Sequence, residues 1–223
     1  MRLASLYSGG KDSTFATYLM EQQGHTVEQL VGIIPADRYS WVFHTPNLHL
    51  LPLMAEAMGK RLVTSNSLGT EQSDLDALRR ALEPLEIDGV ITGAIASDYQ
   101  WDRINSICEE LGLRTFSPMW RKSQRMLMED LLDAEIRFLI VGAFAEGLDR
   151  SWLGREVNRD ALEELEILAD LHGINLSGEG GEYESLVLSS PLHKYGIEID
   201  EFEIEWKRDA GRLTVISASL VKR

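Results

Sequence analysis

Short apolar runs alternate with amphipathic stretches through the first half of the chain, and this alternation constrains the fold more than any other feature. Arg2 to Tyr7 (RLASLY) predicts a buried strand. Thr14 to Gln23 predicts a helix with Phe15, Tyr18, Leu19 and Gln22 on one side, and Gly24 stands where a helix ends in a left-handed residue. Further strands are expected at Val27–Pro35, Arg61–Ser65, Asp88–Thr92 and Arg114–Ser117, and further helices at Leu48–Met58, Ser73–Leu85 and Ser97–Leu111. Strand and helix in repeated succession imply a parallel sheet flanked by helices. Ligands of such sheets bind beyond the carboxyl ends of the strands. The loops of interest are therefore Ser8–Ser13, Pro35–Asn47, Ser65–Thr70 and Gly93–Asp98.

Past Trp120 the pattern changes. A helix is expected at Ser123–Leu132, a strand at Ile136–Ala143, and an acidic helix at Asn158–Leu171 carrying Leu162, Leu165, Ile167 and Leu168. The runs IEIDEFEIEW and LTVISASLV, separated by RDAG, predict a C-terminal hairpin. We expect two domains, 1–120 and 121–223: an α/β domain with a parallel sheet, then a smaller α+β domain. No Gly/Ser-rich linker, repeat or low-complexity segment separates them.

The first of these loops reads SGGKDS, Ser8 to Ser13, between a strand and a helix. At such a turn the backbone N–H groups and the helix dipole suit an anion. Gly9 and Gly10 let the backbone approach phosphate closely, and Lys11 adds a positive charge. A Walker A loop is excluded, because Ser5 stands where its first glycine is needed and Asp12 follows the lysine. The glycine spacing also excludes a dinucleotide fingerprint. Late in the chain Gly178 to Ser185 reads GEGGEYES, with Glu179, Glu182 and Glu184 around a glycine pair. Alone it suits a solvated acidic loop. Carboxylates also bind Mg²⁺, hold a cationic substrate or orient an attacking amine.

Charge bears on the partner. The formal net charge is −14, whereas proteins that grip nucleic acid through phosphates carry a basic face. No nucleic-acid partner is expected. The single cysteine, Cys108, cannot form an internal disulfide or supply the cysteine pair of sulfur-transferring enzymes. Its helical neighbours Ile104, Ile107 and Leu111 mark it as a core residue. No apolar run approaches the roughly 18 residues of a membrane span, and the chain enters a strand at once without a leader pattern. A cytoplasmic protein with no membrane partner is expected.

SGGKDS resembles the pyrophosphate (PP) loop of the N-type ATP pyrophosphatases. Together with GEGGEYES, it is similar to the diphthine–ammonia ligase (diphthamide synthase) family. VFHTPN at Val42–Asn47, GAIASDYQ at Gly93–Gln100 and LDRSWLGR at Leu148–Arg155 fit the same family, so the resemblance runs to about Pro191. It implies a HUP-like (adenine nucleotide alpha hydrolase-like) ATP-binding domain at 1–120 and a substrate-binding domain at 121–223. It implies ATP and Mg²⁺ as cofactors, and ammonium and translation elongation factor 2 bearing diphthine as partners. Diphthine is a modified histidine with a carboxylate and a trimethylammonium group. The implied reaction adenylates that carboxylate, releases pyrophosphate, and lets ammonia displace AMP to leave an amide. A homo-oligomer is compatible with all of this.

By residue, the resemblance implies Lys11, Asp12, Glu182 and Glu184 as catalytic, with Asp12 also toward the metal. Ser8, Gly9, Gly10, Lys11, Asp12, Ser13, His44, Gly93 and Ser97 would hold the nucleotide. Glu179, Gly180, Gly181, Glu182, Tyr183, Glu184, Trp152 and Arg155 would hold the substrate. Plainer roles stand beside several of these: a structural loop histidine for His44, helix N-capping for Ser97 or Asp98, core packing for Tyr99, Trp101 and Trp152, and a surface ion pair for Arg155. Two other functions remain open from the residues alone. One is an adenylating PP-loop ligase for another carboxylate or a tRNA. The other is a sensor that binds ATP without hydrolysing it.

Overall fold

The computed structural model describes residues 1–36 and 47–223. His44 and most of VFHTPN lie outside the described residues. The chain divides into two compact units, Met1–Trp120 and Arg121–Arg223.

The first unit is a parallel five-stranded sheet with helices. Its strands are β1 (Arg2–Leu6), β2 (Thr26–Pro35), β3 (Arg61–Ser67), β4 (Gly89–Ile91) and β5 (Arg114–Phe116), in the order β3-β2-β1-β4-β5. Every pairing is parallel. The helices are α1 (Lys11–Gln22), α2 (Leu51–Met58), α3 (Glu71–Leu82) and α4 (Asp98–Glu110). β1 is central and is buried on both faces because both are covered, with Ser5 its one buried polar residue. On one face Ala4, Leu6, Val31, Ile33 and Val90 pack with Ala77, Leu78, Ala81 and Leu82 of α3 and with Ile104, Ile107 and Cys108 of α4. The chain runs from β1 outward to β2 and β3, then returns to β4 on the other side of β1. The strand order therefore reverses between β1 and β4, and the loops that follow these two strands are neighbours there.

Several boundaries differ from expectation for identifiable reasons. α1 begins at Lys11, so the last three residues of SGGKDS are its first turn. Its buried residues include Thr14, Ala16, Thr17 and Met20 beside Phe15, while Tyr18 and Leu19 are only half-buried. α3 starts at Glu71 because Thr70 caps it, and Ser73 completes a capping box in the place where glutamate is usual. It ends at Leu82, two residues before Pro84, which cannot continue a helix.

The second unit is a four-stranded antiparallel sheet, order β7-β6-β9-β8, with helices α5 (Gln124–Asp133) and α6 (Arg159–His172). β6 is Arg137–Ala143, β7 is Tyr183–Ser189, β8 is Tyr195–Lys207 and β9 is Ala210–Lys222. β8 and β9 form the expected hairpin, turned by Arg208 and Asp209. α6 buries Leu162 and Leu165, but Ile167 is exposed and so lies off the core stripe. β7 was not anticipated: GEGGEYES reads as loop, yet its last three residues, Tyr183, Glu184 and Ser185, open this strand. Among the described residues no helix is long and apolar enough to cross a membrane.

Candidate functional site

The first-unit site is built on the turn from β1 into α1. Gly9 has φ +82, a left-handed conformation that favours glycine, and a Cβ there would press on Met54 Sδ at 2.6 Å. Gly10 is the N-cap of α1, and no described side chain caps the first turn. Its carbonyl instead accepts from Ser13 Oγ (3.1 Å) and Thr14 Oγ1 (3.0 Å). Two buried hydroxyl pairs fasten α1 to β1. Ser5 Oγ meets Thr17 Oγ1 at 2.7 Å, and Tyr7 Oη meets Thr14 Oγ1 at 3.1 Å. Burial pushes the Tyr7 phenol up to about 12 against the opposing effect of Thr14, so it is a neutral strut. Ser8 and Ser13 close the turn, with Ser8 N donating to Ser13 Oγ at 3.3 Å.

Lys11 is 2% exposed, and its ammonium donates to both oxygens of Asp12 at 2.9 and 2.8 Å. The pair occupies the first turn of α1, where the dipole is positive. A buried ammonium needs such a counter-charge, and the Asp12 side chain retains 30% of its exposure. The result is a rigid positive end with one carboxylate at its rim.

Gly93, in the loop after β4, is brought against this turn. A Cβ on it would fall 2.9 Å from both Asp12 C and Ser13 N. Ser97 is the N-cap of α4, its Oγ accepting from Gln100 N at 3.3 Å. Trp101 stacks on Trp120 at 5.4 Å between ring centroids. Tyr99 is exposed rather than core, with the Arg103 guanidinium 3.4 Å above its ring. Cys108 is core, and burial raises its thiol pKa.

The second-unit site is the loop that enters β7. Gly178 and Gly181 take positive φ, and Gly181 N donates to Gly178 O at 3.0 Å. Tyr183 is buried and donates to Leu176 O at 2.8 Å. That bond ties the ring, expected beside a substrate cation, to the loop that precedes it. Glu179 is half-buried in the loop. Glu182 Oε1 accepts from Asn175 N at 3.0 Å and from Asn175 Nδ2 at 2.6 Å. Glu184 stands on β7 opposite Gly142 of β6, which is in turn opposite Arg212 of β9. The missing side chain at Gly142 leaves room for Glu184 Oε2 and the Phe144 ring, each within 3 Å of where a Cβ would sit. The Arg212 guanidinium lies 5.1 Å from that ring's centre.

Trp152 and Arg155 are engaged within the same unit. Trp152 is buried, and the Arg155 guanidinium lies 4.4 Å over its ring while pairing with both oxygens of Glu164 at 2.6 and 2.5 Å. Arg155 is thus held between the Trp152 ring and the Glu164 carboxylate. Sequence reasoning missed Asn175, whose bonds to Glu182 carry no pattern in the chain, and the hydroxyls of Tyr7, Thr14 and Thr17.

A parallel sheet with a glycine turn, a buried lysine and a helix N-terminus at its switch point, an arrangement suited to an anion, defines the α/β class of the first unit; the second is an antiparallel α+β unit. The family model described as the diphthamide synthase N-terminal domain matches residues 1–115, and the diphthamide synthase C-terminal domain matches residues 123–221. The chain belongs to the diphthamide synthase family. Diphthine–ammonia ligase of Homo sapiens is 33% identical over 92% of this chain and 85% of that protein. Its Rattus norvegicus counterpart is 34% identical over 91% of this chain and 84% of that protein. A crystal structure titled as a predicted subunit of tRNA methyltransferase from Methanocaldococcus jannaschii is 14% identical. It covers 85% of this chain and 97% of its own at a TM-score of 0.47, too slight a likeness to carry any inference.

Proposed function

We propose that this chain is an ATP-dependent diphthine–ammonia ligase that works in the cytoplasm on elongation factor 2. The observation that carries the reading is the Lys11–Asp12 pair on the first turn of α1, in a member of this family. A carboxylate resists attack by ammonia until one of its oxygens becomes a good leaving group. Attack of the diphthine carboxylate on the α-phosphorus of ATP would expel pyrophosphate and create that leaving group. Ammonia would then add to the carbonyl carbon, expel AMP and leave the amide. In the first step the carboxylate O–Pα bond forms as the Pα–O bond to pyrophosphate breaks. In the second the C–N bond forms as the acyl C–O bond breaks, the former carboxylate oxygen leaves on AMP, and the nitrogen gives up its surplus proton.

Each residue has a task in this scheme. Lys11 and the N–H groups of Gly9, Gly10 and Ser13 would stabilise the charge that develops on the departing pyrophosphate, with Ser8, whose own N–H goes to Ser13 Oγ, closing the nucleotide turn. Gly93 lets the loop after β4 lie against that turn, and Ser97 ends the same loop. His44 would contribute to the nucleotide. Among the described residues no cluster of three His, Cys, Asp or Glu side chains could hold a metal ion, so Mg²⁺ would be held by Asp12 together with phosphate oxygens. Bound there, it would offset phosphate charge. Glu179, Glu182 and Glu184, with Gly180 and Gly181 giving the loop its turn, suit the cationic partners: the trimethylammonium group and ammonium. Trp152 and Arg155 would line the substrate pocket. No observation favours the tRNA or sensor alternatives.

The test follows ATP in a reaction with ammonium, with and without diphthine-bearing elongation factor 2. AMP that appears only with both substrates, with amide on the factor, is the expected result. ADP as product, or AMP formation indifferent to the factor, would overturn the reading.

A further inference from the structure

The two oxygens of Glu182 are treated differently. Oε1 accepts the two Asn175 donors, whereas Oε2 is buried and has no hydrogen-bond partner among the described residues. A buried carboxylate oxygen left without a donor is costly, so the arrangement points to a donor that arrives with a ligand. Gly180 makes the arrangement possible, since a Cβ there would lie 2.6 Å from Oε1 and 2.7 Å from Asn175 Nδ2.

What aims the Asn175 amide can be traced one residue further. Ser177 N donates to Gln124 Oε1 at 3.2 Å, and Gln124 Nε2 donates to Asn175 Oδ1 at 3.0 Å. A backbone N–H only donates, so Gln124 must present its oxygen to Ser177 and its NH₂ to Asn175. Asn175 must then present its oxygen to Gln124 and its NH₂ to Glu182. The direction of every bond in the relay follows from one backbone N–H group.

The ligand's chemistry follows from the same accounting. A trimethylammonium group carries no N–H and cannot satisfy Oε2, whereas ammonium can. We infer that Gln124 and Asn175 are positioning residues that hold Glu182 by Oε1 and so turn Oε2 toward the ammonium nitrogen. This rests on the ligase reading above and assigns the nitrogen donor to Glu182 Oε2.

Two measurements on the full chain test it. In steady-state kinetics, Asn175→Ala raises the KM for ammonium at least about tenfold while the KM for ATP stays unchanged, the size expected for loss of a hydrogen bond to a charged group. Gln124→Glu is nearly isosteric but places an acceptor against Asn175 Oδ1. It inverts the amide and raises the ammonium KM in the same way, which a packing role would not do. A folded Asn175→Ala or Gln124→Glu protein with an unchanged ammonium KM overturns the proposal. If Asn175→Ala does not fold, Gln124→Glu decides alone. The second measurement needs no turnover: the melting temperature in ammonium chloride is compared with that in tetramethylammonium chloride at equal ionic strength. The wild type, and equally Lys11→Ala, gains stability from ammonium, and Asn175→Ala loses that gain. Absence of the gain in the wild type overturns the assignment of ammonium to this oxygen even if the ligase reaction is found. Its presence without any AMP formation sinks the ligase reading and leaves the site.

Discussion

Lys11 Nζ bonds both carboxylate oxygens of its chain neighbour Asp12, at 2.9 and 2.8 Å. Adjacent residues on a helix project about 100° apart and do not ordinarily face each other. The long lysine stem must therefore curl around the first turn, in a setting that leaves Lys11 2% exposed. Lys11→Ala is expected to lower the rate of AMP formation by about 10²–10³, the usual cost of removing a group that stabilises developing charge. Lys11→Arg should not restore it, because the larger guanidinium has no room in that packing. Single-turnover AMP release with the intact partner checks both, and activity retained in Lys11→Ala would remove the lysine from the chemistry.

Ser5 Oγ and Thr17 Oγ1 form a buried pair beneath the same turn. Thr17→Val keeps the volume but leaves the Ser5 hydroxyl without its partner, at a cost of about 1–3 kcal/mol. Adding Ser5→Ala removes the orphan and should recover most of that loss. Urea unfolding of the two variants measures the difference, and a double variant no more stable than Thr17→Val would refute the pairing argument.

Gly93 touches the backbone of Asp12 and Ser13, not a side chain that could swing aside. Gly93→Ala must displace the turn into α1, with an overpacking cost of about 1–3 kcal/mol. We expect the KM for ATP to rise about tenfold while the ammonium KM holds. An unchanged ATP KM would show that the loop after β4 does not govern the turn.

How much of this was legible in the sequence varies with the range of the interaction. The parallel sheet and the glycine turn into α1 are local patterns, so the strand-to-helix alternation and SGGKDS pointed to them. That Lys11 is consumed by Asp12, and that Glu184 faces Gly142 from a strand, depends on helix start and strand register that no short motif encodes. Arg155 read equally well as a pocket residue or an ion pair, and Glu164, nine positions on, settled its geometry. The relay from Gln124 to Asn175 spans 51 residues between side chains that are unremarkable in sequence, so nothing short of the fold joins them.

His193 supplies the last prediction. Its Nδ1 lies 2.7 Å from Ser190 Oγ, and its buried Nε2 has no hydrogen-bond partner among the described residues. Burial, reinforced by the Arg223 charge, pulls its pKa down to about 4 from an ordinary value of 6.5. Between those values the unfolded chain binds a proton that the folded chain refuses. Stability therefore rises with pH across this window and is lost as pH falls from 6.5 toward 4. The contribution is at most about 3.5 kcal/mol, taking roughly 1.4 kcal/mol per pKa unit. Urea unfolding at a series of pH values should show the wild type losing more stability than His193→Gln over that interval. Carboxylates titrate in both proteins, so the difference between the two curves isolates the histidine. Parallel curves would mean that the imidazole is protonated in the folded protein after all, paired with a group that rearranges to receive its proton.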